Sequence, residues 1–168
     1  MSWVFDENIS YPKKYEDIAH KLAKIRSELS SNVYKPGSGK YRGDKEHWVS
    51  VTGILAELVA RHCLVQMKIK YTASPFIDIQ PVPDADLIIK YPDEKYYIDV
   101  KGVPKQVKEY RVNHNAHRNK NKLVTHYWFV KFLGNQRAEL KFFDWRDVDF
   151  WKVKQYYTYI YIHIYIHP

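Results

Sequence analysis

The chain has 168 residues, 45% of them apolar, which suits one domain with a real hydrophobic core and excludes a disordered chain. Lys and Arg number 27 against 19 Asp and Glu, a net charge of +8 before any of the eight histidines is protonated; such a surface favours nucleic acid or an anionic membrane as partner. The single cysteine, Cys63, excludes an internal disulfide and suits a reducing compartment.

The N-terminus has no basic stretch followed by an apolar run, so it does not read as a signal peptide. No apolar stretch reads as reaching the roughly 18 residues that a membrane helix needs. A cytoplasmic protein with no membrane contact is expected.

Tyr15, Ile18, Leu22, Ile25 and Leu29 recur at three- and four-residue steps and predict a first helix, with Pro12 near its start and Ser30, Ser31 and Asn32 ending it. The polar stretch 35–45 reads as a loop; it lacks the spacing of a phosphate-binding loop. A second helix is expected over 46–62, with Asp44 as N-cap and Trp48, Val51, Leu55, Leu58 and His62 on one face. Residues 65–72 alternate as a strand, and 86–91 with 95–101 flank Pro92-Asp93-Glu94 as a hairpin. Pro104 then opens an expected third helix, with Val107, Tyr110, His114 and His117 at helical spacing. Two strands follow over 125–132 and 137–143, then a short helix from Asp144. The order predicts one α/β domain over 1–154, a mixed sheet flanked by helices.

The tail 155–168 is low-complexity sequence in which Ile160, Ile162, Ile164 and Ile166 alternate with tyrosine and histidine at strand period. It would extend a sheet edge or mediate self-association. His163 and His167 share a face, but two histidines do not specify a metal site.

The chemistry concentrates in Ile98-Asp99-Val100-Lys101-Gly102. Strand side chains alternate faces, so Ile98 and Val100 turn to the core while Asp99 and Lys101 point the other way together. If Tyr91 opposes Tyr96 across the hairpin, Asp86 opposes Lys101 and lies diagonal to Asp99. Opposed residues sit about 5 Å apart and diagonal ones about 7–8 Å, so two carboxylates there share one hard cation. Glu57 is the expected third carboxylate, with Glu46 as a weaker substitute. It lies one helical turn after Gly53, a glycine that would let the helix approach the sheet closely. Two or three oxygen ligands is how proteins usually hold Mg²⁺.

At these residues the chain resembles a family. PDADLIIK (83–90) followed by IDVKG (98–102) is similar to the signature of the PD-(D/E)xK nucleases, and Glu57 in GILAE (53–57) resembles the glutamate many members carry on the helix before the sheet. The similarity covers about 46–143. It implies a restriction endonuclease-like αβββαβ core and Mg²⁺, with Mn²⁺ as substitute. It implies metal ligation by Asp86 and Asp99 helped by the Val100 carbonyl, with Glu57 completing the site and Lys101 as catalytic lysine. Pro83-Asp84 spells the literal motif, so Asp84 is the alternative to Asp86; both have the same strand parity.

The expected function is therefore a metal-dependent deoxyribonuclease, an endonuclease acting on DNA as a homodimer. A Holliday-junction resolvase or a phage or mobile-element nuclease is the alternative within the fold. A non-catalytic DNA-binding protein is the rival of another class, and an assembly protein built on the tail is a third. Alone, Asp99 and Lys101 would read as a solvated surface pair. The basic segment 105–122 supplies the expected phosphate contacts: Lys105, Lys108, Arg111, Arg118, Lys120 and Lys122, with Asn113, Asn115 and His114 as hydrogen-bond donors. Tyr127, Trp128 and Phe129 read as core strand, and Trp145 and Trp151 as packing residues.

Overall fold

The computed structural model describes residues 5–33, 45–77, 85–119, 122–156 and 161–166. The loop 35–44, Asp84 and Lys120 lie outside the described residues. The elements run β1 (Glu7–Ser10), α1 (Lys14–Val33), α2 (Lys45–Gln66), β2 (Tyr71–Ala73), β3 (Leu87–Lys90), β4 (Lys95–Val103), β5 (Tyr110–Asn113), α3 (His114–His117), β6 (His126–Gly134), β7 (Arg137–Asp144), α4 (Trp145–Val148), β8 (Lys152–Tyr156) and β9 (Tyr161–Ile166).

A six-stranded mixed sheet has the order β1-β7-β6-β4-β3-β2, and β5-β9-β8 form a smaller antiparallel sheet. The α/β class with helices flanking a mixed sheet is as expected. The central strands carry apolar side chains on both faces, as strands covered on both sides do. On one face Ile98, Val100, Trp128, Val130, Leu140 and Phe142 pack with Ile54, Val59 and Leu64 of α2. On the other, Tyr127 and Phe129 pack with Val103, Tyr110, Val112, Val148 and Trp151. The expected core roles of Tyr127, Trp128, Phe129 and Trp151 are thus met, and the helix expected from Asp144 is α4, capped by that residue.

Several local expectations are corrected. The third helix is absent: after Pro104 the chain turns into β5, and only the one-turn α3 is helical before His117. Tyr110 and Val112 are buried while Arg111 between them is exposed, which is strand period. Strand β5 pairs with β9, so a partner more than forty residues away decides its conformation over local spacing.

Helix α2 extends to Gln66, and the strand expected from 65 begins at Tyr71. Ile69 N–H donates to Leu64 O (2.9 Å) and Lys68 N–H to Val65 O (3.0 Å), with Lys68 at φ 58°. That is a Schellman ending carried by a lysine instead of a glycine, which hides the stop signal.

Helix α2 is also long and apolar enough to cross a membrane over His47–Gln66, contrary to the expectation. Its Ile54, Ala56, Val59, Ala60 and Leu64 are fully buried as the core helix between α1 and the sheet. Trp48, assigned to its inner face, is 65% exposed. On α1 the inner seam is Ala19 and Ala23, because it packs helix against helix, and Ile18, Ile25 and Leu29 stay at the surface.

The close approach of α2 to the sheet is made by a different glycine. A Cβ on Gly53 would meet nothing within 4 Å, whereas one on Gly102 of β4 would lie 2.5 Å from Thr52 O. Gly102→Ala is therefore expected to destabilise the fold by about 1–3 kcal/mol, the usual cost of overpacking. Gly53→Ala is expected to be neutral or to stabilise by up to about 1 kcal/mol through helix propensity. Urea unfolding of the two variants checks this; equal effects would contradict the assignment.

Candidate functional site

The β3–β4 hairpin sets the site. Tyr91 N–H donates to Glu94 O (2.8 Å), closing a two-residue turn of Pro92 and Asp93. The pairs are Lys90 with Lys95, Ile89 with Tyr96, Ile88 with Tyr97 and Leu87 with Ile98. The register is therefore shifted by two residues from that expected, since the turn is tighter. The shift keeps every side chain on its face, but Asp86 continues the ladder beside Asp99 rather than beside Lys101.

Strand β3 begins only at Leu87, and where its backbone gives out the Asp86 side chain takes over the ladder. Asp86 Oδ2 accepts from Val100 N–H at 2.7 Å. A residue's N–H and C=O leave a strand on the same side, so the Val100 carbonyl faces Asp86 as well. Asp86 is anchored from behind: its carbonyl accepts from Ser74 N–H (3.0 Å), and Ser74 Oγ donates to Ala85 O (2.8 Å).

Asp99 is 5% exposed. Lys101 Nζ stands 2.7 Å from its Oδ1, and Lys122 Nζ pairs with its Oδ2. A carboxylate so buried persists only with charge-assisted partners for both oxygens. Burial works to raise the Asp99 pKa, but the two ammonium groups outweigh it and hold it at about 2. Among the described residues Asp86 is bonded only by the Val100 N–H; burial, then the charges of Asp99 and Glu57, push its pKa up to about 8. Lys101 loses by burial but is raised by Asp99 and Asp86. Near neutrality the pair thus holds one charge and one proton, as neighbouring carboxylates do.

Glu57 joins the group by its field. Burial raises its pKa against the opposing charges of Arg61 and Arg26, with Asp99 adding to the rise. Its carboxylate is bonded by Arg61 (Nη2 to Oε2, 3.3 Å). Arg61 also donates to Ser74 O (2.7 Å) and lies 3.8 Å over the Phe76 ring, so it ties α2 to the chain after β2. Among the described residues no group of three or more His, Cys, Asp or Glu is arranged to hold a metal ion. The structure brings Asp86, bonded to the Val100 N–H, within the field of Asp99, with Lys101 paired to Asp99; Glu57 is turned to Arg61.

Three contributors to this cluster are not signalled as such by the sequence. Lys122 appeared only as a phosphate contact. Arg61 gave no signal beyond standing four residues after Glu57. Tyr127 lies opposite Asp99 in the parallel β4–β6 pairing; its hydroxyl shares a hydrogen bond with His117 Nδ1 (2.9 Å), and His117 Nε2 meets Asp149 Oδ1 (3.1 Å). Burial, then Asp99, raises the Tyr127 pKa.

The expected phosphate contacts do not share a helix face, because that helix is absent. Lys108 is exposed and Lys105 lies against the Gly134 turn. Arg111 pairs with Glu109 at 2.7 Å. Asn113 caps α3 by accepting from Ala116 N–H. His114 Nδ1 is buried without a hydrogen-bond partner. Arg118, 59% exposed, reaches Asp149 at 3.4 Å.

No family model, no curated protein and no solved structure matches this chain.

Asp86 makes the site pH-sensitive. Its folded pKa lies above its unfolded value, so the stability it contributes is lost as pH rises from about 4 through about 8. Asp86→Asn, which cannot ionise, is expected to melt increasingly above wild type as pH rises over that window in EDTA. Melting curves that stay parallel from about pH 5 to about pH 9 would contradict a protonated Asp86.

Proposed function

We propose that the chain is a divalent-cation-dependent nuclease of the PD-(D/E)xK type that hydrolyses DNA phosphodiester bonds. The observation that carries the reading is the placement of Asp86 beside Asp99, with Lys101 on the same strand face as Asp99 and 2.7 Å from its Oδ1. That the described residues form no three-ligand cluster is compatible with Mg²⁺, which proteins commonly hold through one or two carboxylates while the substrate and water complete the shell. Asp86, Asp99 and the Val100 carbonyl are a hard-oxygen donor set of that kind, so the residues fit the ion. When bound, such a cation lowers the pKa of water and neutralises charge on a phosphate.

The chain's own residues supply the rest. Asp86, its proton passed to solvent, would hold the cation with Asp99. Lys101, held by Asp99, donates to a phosphate oxygen as negative charge builds on it and keeps the attacking water in line. Glu57, held by Arg61, adds negative potential behind the ligand pair. Hydrolysis forms one P–O bond from water, whose proton passes to solvent, and breaks another, and the released alkoxide takes a proton from solvent.

The restriction endonuclease-like core is part of the proposal, with β5 and the one-turn α3 standing where that core has a helix. So are a homodimer, which duplex cleavage by one small domain requires, and a cytoplasmic location. The second reading is a DNA-binding protein without cleavage. It is favoured by the ion pairs that already compensate Glu57 and Asp99 without any cation.

The test is cleavage of supercoiled, linear, single-stranded and four-way-junction DNA with Mg²⁺, Mn²⁺ or EDTA. Asp99→Ala and Lys101→Ala are expected to lower cation-dependent cleavage by about 10²–10³-fold, in the range of a removed electrostatic stabiliser, while far-UV circular dichroism stays native. Full activity in folded Lys101→Ala would contradict the role given to that lysine, and EDTA-resistant binding without cleavage would favour the second reading.

A further inference from the structure

Both oxygens of Asp99 are taken, Oδ1 by Lys101 and Oδ2 by Lys122. A cation shared between Asp86 and Asp99 needs one of them. The two lysines are not equally free to leave. Lys101 stands two residues from Asp99 on the same strand face, so its ammonium stays close to the carboxylate. Lys122 arrives from the turn between α3 and β6. Its backbone is fixed, with its N–H donating to Asn119 O (3.0 Å) and its carbonyl accepting from Val124 N–H (3.1 Å). Like Lys101 it hangs on a flexible four-carbon stem, and its side chain is 26% exposed against 35% for that of Lys101, so what separates the two is not exposure but the backbone each is tethered to. The base of the turn is held by His117, which is buried between Tyr127 and Asp149 and stacked on Trp145. Once displaced, the ammonium therefore stays beside the site, where an anion is its natural partner.

We infer that Lys122 is a displaceable counter-ion of Asp99, which neutralises the carboxylate in the cation-free protein and passes to a phosphate of the substrate when a divalent cation takes its place. The inference rests on the nuclease reading and deepens it. A lysine taken from sequence for a peripheral backbone contact becomes a switchable member of the site, with a separate effect on cation and on substrate.

The experiment measures Mn²⁺ binding to DNA-free protein by electron paramagnetic resonance, for wild type, Lys122→Met and Lys122→Arg, beside cleavage at saturating Mn²⁺. Lys122→Met removes the competing charge at similar size. Because close like charges interact strongly, it is expected to bind Mn²⁺ about tenfold tighter or more. Its cleavage at saturating Mn²⁺ is expected to fall by about tenfold or more through the lost phosphate contact, and Lys122→Arg should stay near wild type in both. Unchanged Mn²⁺ affinity in Lys122→Met, with wild type binding the ion, overturns the inference and leaves the nuclease reading standing. Tighter binding with undiminished cleavage overturns the passage to phosphate. No Mn²⁺ bound by wild type or by Lys122→Met overturns the inference and the nuclease reading together.

Discussion

The alternation of side chains along β4 is the constraint on which the rest depends. Ile98 and Val100 are drawn to α2 by the main core, and that alone turns Asp99 and Lys101 to the opposite face together. The parallel pairing of β4 with β6 then sets Tyr127 opposite Asp99. Gly102, without a side chain, lets Thr52 of α2 come against the strand and brings Glu57 within electrostatic range. The hydrophobic face of one strand thus positions a polar cluster it does not touch.

The cluster is costly to build and is kept by mutual compensation. A carboxylate as buried as Asp99 would be strongly unfavourable alone. Here two ammonium groups, an arginine on Glu57 and a backbone N–H on Asp86 share the load. Such an arrangement contributes little net stability compared with apolar packing. Asp86 is the least compensated of the described members, and burial with the charges of Asp99 and Glu57 raises its pKa.

Much of this was legible in the sequence because the strongest signals were local. The motif residues sit on or beside adjacent strands with the face parity that the spacing implied, and Tyr127 to Phe129 form the core strand that their composition suggested. What failed was non-local pairing, or a local ending that the residue type does not signal. The pairing of β5 with β9 could not be read from 105–117, where helical spacing of Val107, Tyr110 and His114 competed with the strand period of Tyr110 and Val112. The N-terminal β1 carries a single apolar residue, Ile9, and is held by backbone pairing to β7. Lys68 ends α2 in a conformation that usually signals its presence by glycine. The two-residue turn at Pro92-Asp93 was shorter than expected, which moved Asp86 from Lys101 to Asp99 without changing its face. Lys122 was seen as charge, but its placement depends on a turn with no sequence signature.

The most direct measurement is an anomalous-scattering map from crystals soaked in Mn²⁺. The expected result is one peak bonded to Asp86, Asp99 and the Val100 carbonyl, with Lys101 still beside Asp99. A map with no peak at these atoms at saturating Mn²⁺, and with Asp99 still held by both lysines, would contradict the claim that this cluster is a cation site.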